Sequence, residues 1–153
     1  MTDAIFRRAG VDDLPAIVAL LAEDPLGASR ETPDDPAPYL AAFERLAADP
    51  NQRLLVAERA GEVVGTLQLT LIPGLSRRGA TRTLIEAVRV RSTERGSGLG
   101  TLLIEHAIEE SRGLGADLVQ LTSDASRTDA HRFYERLGFT GSHIGYKLNL
   151  RQD

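Results

Sequence analysis

The chain lacks cysteine and tryptophan, and Lys147 is its only lysine. Without cysteine it can form no disulfide, no thiol nucleophile and no thiolate metal site. Nearly all of its positive charge is carried by arginine, which we interpret as a compositional bias rather than a binding face. No apolar run approaches the length of a membrane span, and the first residues show no signal-peptide-like apolar region. We therefore expect no membrane partner and a cytoplasmic location.

The composition is otherwise that of an ordinary globular protein. The chain has 153 residues, 42% of them hydrophobic and 26% charged, which fits one domain over residues 1–153 with a sizeable core. The formal net charge of −4 argues against a general nucleic-acid surface. The His, Asp and Glu residues show no metal-ligand spacing, so we expect no metal.

The hydrophobic pattern predicts an alternation of strands and helices. Predicted strands cover residues 4–8, 53–58, 63–72, 83–90, 116–122 and 145–150, with a turn at Ala60 and Gly61 between the second and third. One predicted helix follows Asp12 and Asp13 as candidate N-caps, and a second covers residues 37–48. A third has apolar residues at helical spacing from Leu99 up to Gly113, and a fourth includes Tyr134. In residues 63–72, alternation places Thr66, Gln68 and Thr70 on the face opposite the apolar residues. The element order predicts an α/β fold with a mixed sheet.

A glycine-rich loop joins the strand at 83–90 to the helix that follows it. Its sequence is Arg95-Gly96-Ser97-Gly98-Leu99-Gly100. A strand, a glycine loop and a helix in this order aim free backbone N–H groups and a positive helix end at an anion. No Lys-Ser/Thr follows the last glycine, and the glycine spacing departs from the dinucleotide fingerprint. On these residues alone, a turn without a ligand remains an alternative.

Two segments resemble motifs of the GCN5-related N-acetyltransferase (GNAT) superfamily. Residues 88–103 are similar to the acyl-CoA-binding motif of that family. The segment Ala130-His131-Arg132-Phe133-Tyr134-Glu135-Arg136-Leu137-Gly138-Phe139 is similar to its Ala-x-x-Phe-Tyr-x-x-Leu-Gly-Phe helix. The two motifs stand in the family's order, and with the strand pattern the resemblance covers nearly the whole chain. It implies the GNAT fold, a central, mostly antiparallel sheet flanked by helices.

The resemblance implies transfer of the acetyl group of acetyl-CoA to a primary amine, which attacks directly, with no acyl-enzyme and no metal. The loop would hold the pyrophosphate through main-chain N–H groups, and the backbone of the preceding strand would pair with the pantetheine arm. The expected cofactor-binding residues are Val88, Arg89, Val90, Arg95, Gly96, Ser97, Gly98, Leu99, Gly100, Thr101 and Arg127. Val88 and Val90 are equally typical of a buried strand, and the Arg95 side chain is equally typical of a solvated charge.

The resemblance makes Tyr134 the candidate general acid, which would protonate the departing thiolate. Its position alone is also typical of an aromatic residue packed in a core. Ser126 and Asp129 resemble a capping box and predict a structural role at the start of the helix. Where the family often carries an asparagine that contacts the cofactor, this chain has Arg127, for which contact with a CoA phosphate is the hypothesis.

Glu86 is the candidate general base. By alternation it shares a face with Leu84 and Val88, so we expect an interior carboxylate, which would suit proton abstraction. A strand-edge salt bridge is the alternative for Glu86, and a bound water is the alternative base.

Acceptor specificity is expected in residues 24–36, 37–48 and 73–79. The first segment carries Asp24, Glu31, Asp34 and Asp35, which would attract a cationic amine. A small-molecule amine and a peptide amine both stay open as acceptors. The resemblance also allows a homodimer. The alternative function is a non-catalytic acyl-CoA-binding or regulatory module with the same fold.

Overall fold

The computed structural model describes residues 3–151 of the chain. They fall into two compact units, with the boundary between Leu121 and Thr122. No helix among the described residues is long and apolar enough to cross a membrane. The single domain over residues 1–153 stays a prediction.

The first unit is built on a five-stranded sheet. Its strands are β1 (Ile5–Arg8), β2 (Gln52–Arg59), β3 (Glu62–Ile72), β4 (Arg82–Val90) and β5 (Leu118–Leu121), side by side in chain order. Strands β1 to β4 pair antiparallel, and β5 runs parallel to β4. The prediction of an α/β fold with a mostly antiparallel sheet is confirmed.

Five helices belong to the same unit. They are α1 (Leu14–Glu23), α2 (Pro25–Ala28), α3 (Ala37–Ala48), α4 (Ser76–Gly79) and α5 (Leu99–Gly113). Helix α3 has its predicted bounds, whereas α2 and α4 are single turns in segments expected to be loops. Asp13 stands at the N-cap of α1, but its carboxylate accepts from the Gly10 N–H at 2.7 Å and from Arg7. The hydrogen bond from Arg7 is the main reason why the pKa of Asp13 lies below its usual value.

The sheet buries apolar residues on both of its faces. Leu55 and Leu67 are opposite each other in register, and both are fully buried. Gly65 lies on this same face, and a Cβ atom added there would lie 3.5 Å from the side chain of Leu103 in α5. The other face buries a cluster of Ile17 and Leu20 from α1 with Val56 and Val63 from the sheet. Burial of a side chain of this kind is worth about 1.5–3 kcal/mol.

The alternation in β3 predicts burial incorrectly at Thr66. This residue was expected on a polar face, yet it is only 1% exposed. Its hydroxyl donates to the Leu55 carbonyl oxygen at 2.8 Å, which satisfies the buried polar group. The turn prediction is confirmed, because Ala60 and Gly61 both have positive φ, 53° and 80°, as a two-residue hairpin turn requires.

The second unit contains α6 (Thr128–Arg136). The predicted capping box is wrong, because Arg127 occupies the N-cap and no side chain caps the helix. The Ser126 hydroxyl instead donates to Asp124 at 2.6 Å. The predicted strand at 145–150 is also wrong: no strand is present after β5 within residues 3–151. Tyr146, Leu148 and Leu150 alternate as in a strand but are 90%, 85% and 90% exposed. Alternation is not sufficient, because a strand also needs a hydrogen-bonding neighbour.

A buried hydroxyl pair joins β4 to α5 and provides a test of the packing. Thr83 and Ser111 have oxygens 2.7 Å apart, and the Ser111 hydroxyl donates to the Ala107 carbonyl oxygen at 2.8 Å. We expect Ser111→Ala to lower the free energy of unfolding by about 1–3 kcal/mol, since it leaves the Thr83 hydroxyl without an acceptor. In urea denaturation, Thr83→Val should lower the free energy of unfolding much less in the Ser111→Ala variant than in the wild type. Strictly additive effects in the double variant would contradict this coupling.

Candidate active site

Strand β4 is paired on both edges only along its first half. Its register with β5 runs from Arg82 to Ile85, whereas its register with β3 continues to Val90. From Glu86 to Val90, one edge of β4 therefore has no neighbouring strand among the described residues. The Arg91 N–H donates to Val64 on β3 at 2.8 Å. Because backbone groups alternate in direction along a strand, we infer that those of Val88 and Val90 point to the open edge.

The glycine loop follows this open edge. A single turn of 3₁₀ helix at Ser92–Glu94 leads into it, and Gly98 is the N-cap of α5. Gly96 and Gly98 have φ of 81° and 84°, a left-handed conformation that glycine adopts without steric cost. Within the described residues, the N–H groups of Gly96, Gly98, Gly100 and Thr101 have no hydrogen-bond acceptor. Free N–H groups at the start of a helix, here one of 15 residues, are groups to which anions commonly bind in proteins.

Two acidic side chains stabilise the turn that leads into the loop. The Glu23 carboxylate, at the end of α1, accepts from the Ser92 N–H at 2.7 Å. Hydrogen bonding with Ser92 is the main reason why the pKa of Glu23 is lowered, with Arg95 and Arg91 adding an electrostatic contribution. Glu94 forms an ion pair with Arg59 of β2 at 2.8 Å. These contacts join residues far apart in the chain, so no local sequence pattern pointed to them.

The remaining candidate phosphate contacts are exposed arginines. The Arg95 side chain lies at the surface of the first unit, and Arg127 is exposed in the second unit. The Ser97 hydroxyl donates to the Glu94 carbonyl oxygen at 2.6 Å and thus closes the turn.

The predicted surroundings of Glu86 are only partly correct: Leu84 shares its face, as expected, but Val88 does not. The structure places Ala87 in β4 with a φ of 54°, beside a shift in register with β3. Gln68 pairs with Glu86 and Thr66 pairs with Arg89, so β4 carries one extra residue between these two pairs. This bulge puts Glu86 on the same face as Arg89 instead of Val88, and Glu86 is exposed rather than interior. A bulge of this kind has no sequence signal here, since Ala87 is not a glycine.

Tyr134 belongs to α6 in the second unit. Its ring makes edge contacts with Phe133 at 5.1 Å and Phe139 at 5.9 Å between centroids, and it is half-buried. These contacts fix the ring in place and are compatible with both interpretations drawn from the sequence.

The predicted acceptor loop is organised by Tyr39 of α3. The Tyr39 hydroxyl donates to Glu31 at 2.9 Å and accepts from the Thr32 N–H at 2.8 Å. At the start of the loop, Asp24 accepts from the Leu26 N–H at 3.0 Å and lies 3.5 Å from Arg89. No group of three or more His, Asp or Glu residues is arranged to hold a metal ion within residues 3–151.

A model of the acetyltransferase (GNAT) family matches residues 14–139, which is most of the chain. The protein belongs to the GNAT family. It is therefore an acyl-CoA-dependent N-acetyltransferase, and members of this family use acetyl-CoA.

Known relatives agree with this assignment. The chain is 33% identical over 144 residues to the aminoalkylphosphonate N-acetyltransferase of Salmonella typhimurium, covering 94% of this chain and 90% of that protein. It is 33% identical over 141 residues to the L-methionine sulfoximine/L-methionine sulfone acetyltransferase of Pseudomonas aeruginosa, covering 89% and 80%. A crystal structure described as a transcriptional regulator from Bacillus halodurans C-125 is similar with a TM-score of 0.93 and 43% identity, covering 97% of this chain and 100% of that one.

The left-handed glycine at the start of α5 provides a test of this GNAT site. We expect Gly98→Ala to lower the free energy of unfolding by about 1 kcal/mol and to weaken acetyl-CoA binding, because its methyl group would occupy open space beside the free N–H groups. Gly61→Ala is the matched control, since Gly61 has a φ of 80° and equally open surroundings but lies in the β2–β3 turn. Thermal unfolding with and without acetyl-CoA measures both effects. Equal loss of binding in the two variants would contradict a role for the loop.

Proposed function

We propose that this protein transfers the acetyl group of acetyl-CoA to the primary amine of a small molecule by direct attack. The observation that carries the proposal is the adjacency of two unsatisfied backbone features. Free N–H groups at the start of α5 suit a pyrophosphate, and the open edge of β4 immediately before the loop suits an extended amide-containing arm. A phosphate contact and a β-like backbone pairing are what a CoA thioester requires of its site.

The binding roles follow from these features. The backbone from Arg95 to Thr101 would hold the pyrophosphate, with Gly96, Ser97, Gly98, Leu99 and Gly100 between them. Val88 and Val90 would pair with the pantetheine arm through their outward backbone groups. Arg95 and Arg127 would meet phosphate groups with exposed guanidinium side chains.

The chemical step requires two proton transfers. The thioester supplies an activated acetyl group, and the amine nitrogen forms a bond to its carbonyl carbon as the carbon–sulfur bond breaks. Glu86, directly or through a bound water, would accept the proton that the amine loses, and its exposure on the open half of β4 supports access to it. The Tyr134 hydroxyl would give a proton to the thiolate. The family motif around Tyr134 supports this role.

The relatives favour a small acceptor. The two named above carry aminoalkylphosphonate and methionine sulfoximine or sulfone in their names, which are small amines. We extend that class to this protein and prefer it to a peptide. A homodimer, which the resemblance allows, stays a prediction.

Release of CoA thiol in the presence of amines tests the function. We expect acetyl-CoA at about a hundred times its Kd to stabilise the protein by roughly 2.7 kcal/mol, or several degrees in Tm, and ATP and NAD to have no such effect. A panel of small amines should then produce thiol release that depends on the amine. Stabilisation by acetyl-CoA without release from any amine would favour a non-catalytic acyl-CoA-binding module. The description of the Bacillus halodurans protein as a regulator makes that control worthwhile.

The role of Tyr134 has its own test. We expect Tyr134→Phe to bind acetyl-CoA normally and to reduce kcat by at least about tenfold, because general acid catalysis is typically worth that much or more. Tyr146→Phe removes the same hydroxyl from a residue of the same unit that is 90% exposed, and it should leave kcat unchanged. An unchanged kcat in Tyr134→Phe would mean that the residue serves only in packing against Phe133 and Phe139.

A further inference from the structure

Arg89 lies in the open half of β4 with one of its donors unsatisfied. Its Nη1 donates to the Val88 carbonyl oxygen at 2.9 Å, and its Nη2 lies 3.5 Å from the Asp24 carboxylate. The Nε atom is buried and has no hydrogen-bond partner among the described residues. A guanidinium has five N–H groups, and a buried donor without a partner is rare in native proteins. The arrangement is therefore incomplete.

Other arginines of the chain show what a completed pair looks like. Arg7 binds Asp13 with two nitrogens at 2.7 and 3.0 Å, and Arg59 binds Glu94 at 2.8 Å. Arg89 reaches Asp24 only at 3.5 Å, although the side chains of these two residues are just 17% and 21% exposed. The other Asp24 oxygen accepts from the Leu26 N–H. Asp24 therefore does not satisfy the guanidinium of Arg89.

Arg89 lies on the same face of β4 as the proposed base, where we expect the amine acceptor to bind. The bulge at Ala87 places Arg89 on the same face as Glu86, since their partners on β3 are Thr66 and Gln68. Two residues along a strand span about 7 Å. The backbone positions of Arg89 and of the proposed base Glu86 are thus about that far apart, and Asp24 begins the segment expected to carry acceptor specificity. An amine near Glu86 and an anionic group near Arg89 would lie a few bonds apart in one small molecule.

We propose that the Arg89 side chain binds an oxyanion of the amine acceptor, a carboxylate or a phosphonate. This inference rests on the proposed function and names the acceptor class for the same site: short amines that carry an anionic group. A planar guanidinium can bind such a group through two N–H groups at once. The Nε of Arg89 would then gain the acceptor that it lacks, and Nη2 would stay near Asp24. The backbone of Arg89 remains part of β4, along which the pantetheine arm of the cofactor would lie.

Direct binding tests the assignment without turnover. The full chain, saturated with CoA instead of acetyl-CoA, is titrated in a calorimeter with 2-aminoethylphosphonate, β-alanine and propylamine. We expect at least one of the two anionic amines to bind roughly tenfold or more tightly than propylamine, and the better of them identifies the preferred oxyanion. Arg89→Gln should abolish that difference, and Arg89→Lys should retain part of it, because the charge remains but the fork is lost.

Arg82→Gln is the matched control. Arg82 lies on the same strand and donates to Gln120 at 3.0 Å, in the half of β4 that is paired with β5. This variant should keep both the preference for anionic amines and the affinity for acetyl-CoA. In turnover, Arg89→Gln should raise the KM for the anionic amine by roughly tenfold or more, whereas Arg82→Gln should leave that KM unchanged.

Two results would overturn the assignment: equal binding of all three amines by the wild type, or equal losses in Arg89→Gln and Arg82→Gln. Failure of the proposed function has a different signature. In that case no amine causes release of CoA thiol, whereas binding of the anionic amine still depends on Arg89.

Discussion

Backbone pairing of β4 on both edges ends at Ile85, and the arrangement of the site depends on that limit. Beyond it, β3 is the one neighbouring strand of β4 within residues 3–151, so the other backbone edge of β4 is open there. The glycine loop follows at once, with N–H groups that the start of a helix cannot satisfy internally. One strand thus provides an open edge for backbone pairing and leads directly into the loop that we propose as the pyrophosphate site.

The bulge at Ala87 changes which side chains share a face in this second half of β4. An extra residue reverses which side chains share a face, so that Glu86 and Arg89 come together and Val88 lies on the other side. Under the proposed function, the backbone would bind the cofactor and one face of side chains would bind the acceptor. A regular strand would have placed Val88, instead of Arg89, on the face of Leu84 and Glu86.

Charged side chains also stabilise the turn that leads into the glycine loop. Glu23 accepts from Ser92, and the Arg59–Glu94 ion pair connects the turn to β2. The partners of this ion pair are 12% and 15% exposed, so solvent screens it less than an exposed pair. The lowered pKa of Glu23 means that this contact stabilises the folded state above the ordinary pKa of a glutamate, and that the stabilisation is lost as pH falls through the lowered value.

The sequence by itself determined the five strands before residue 122, the turn at Ala60 and Gly61, the bounds of α3 and the glycine loop, since each depends on local periodicity or on backbone freedom at glycine. Its two motifs also identified the family, which the comparisons confirm. Three features became visible only in the three-dimensional structure: the exposure of Glu86, the burial of Thr66 and the incomplete partnership of Arg89 with Asp24. The structure also showed that Ser126 caps no helix and that Tyr146, Leu148 and Leu150 form no strand. These features depend on register and on partners distant in the chain, and a local pattern of residues carries no information about either.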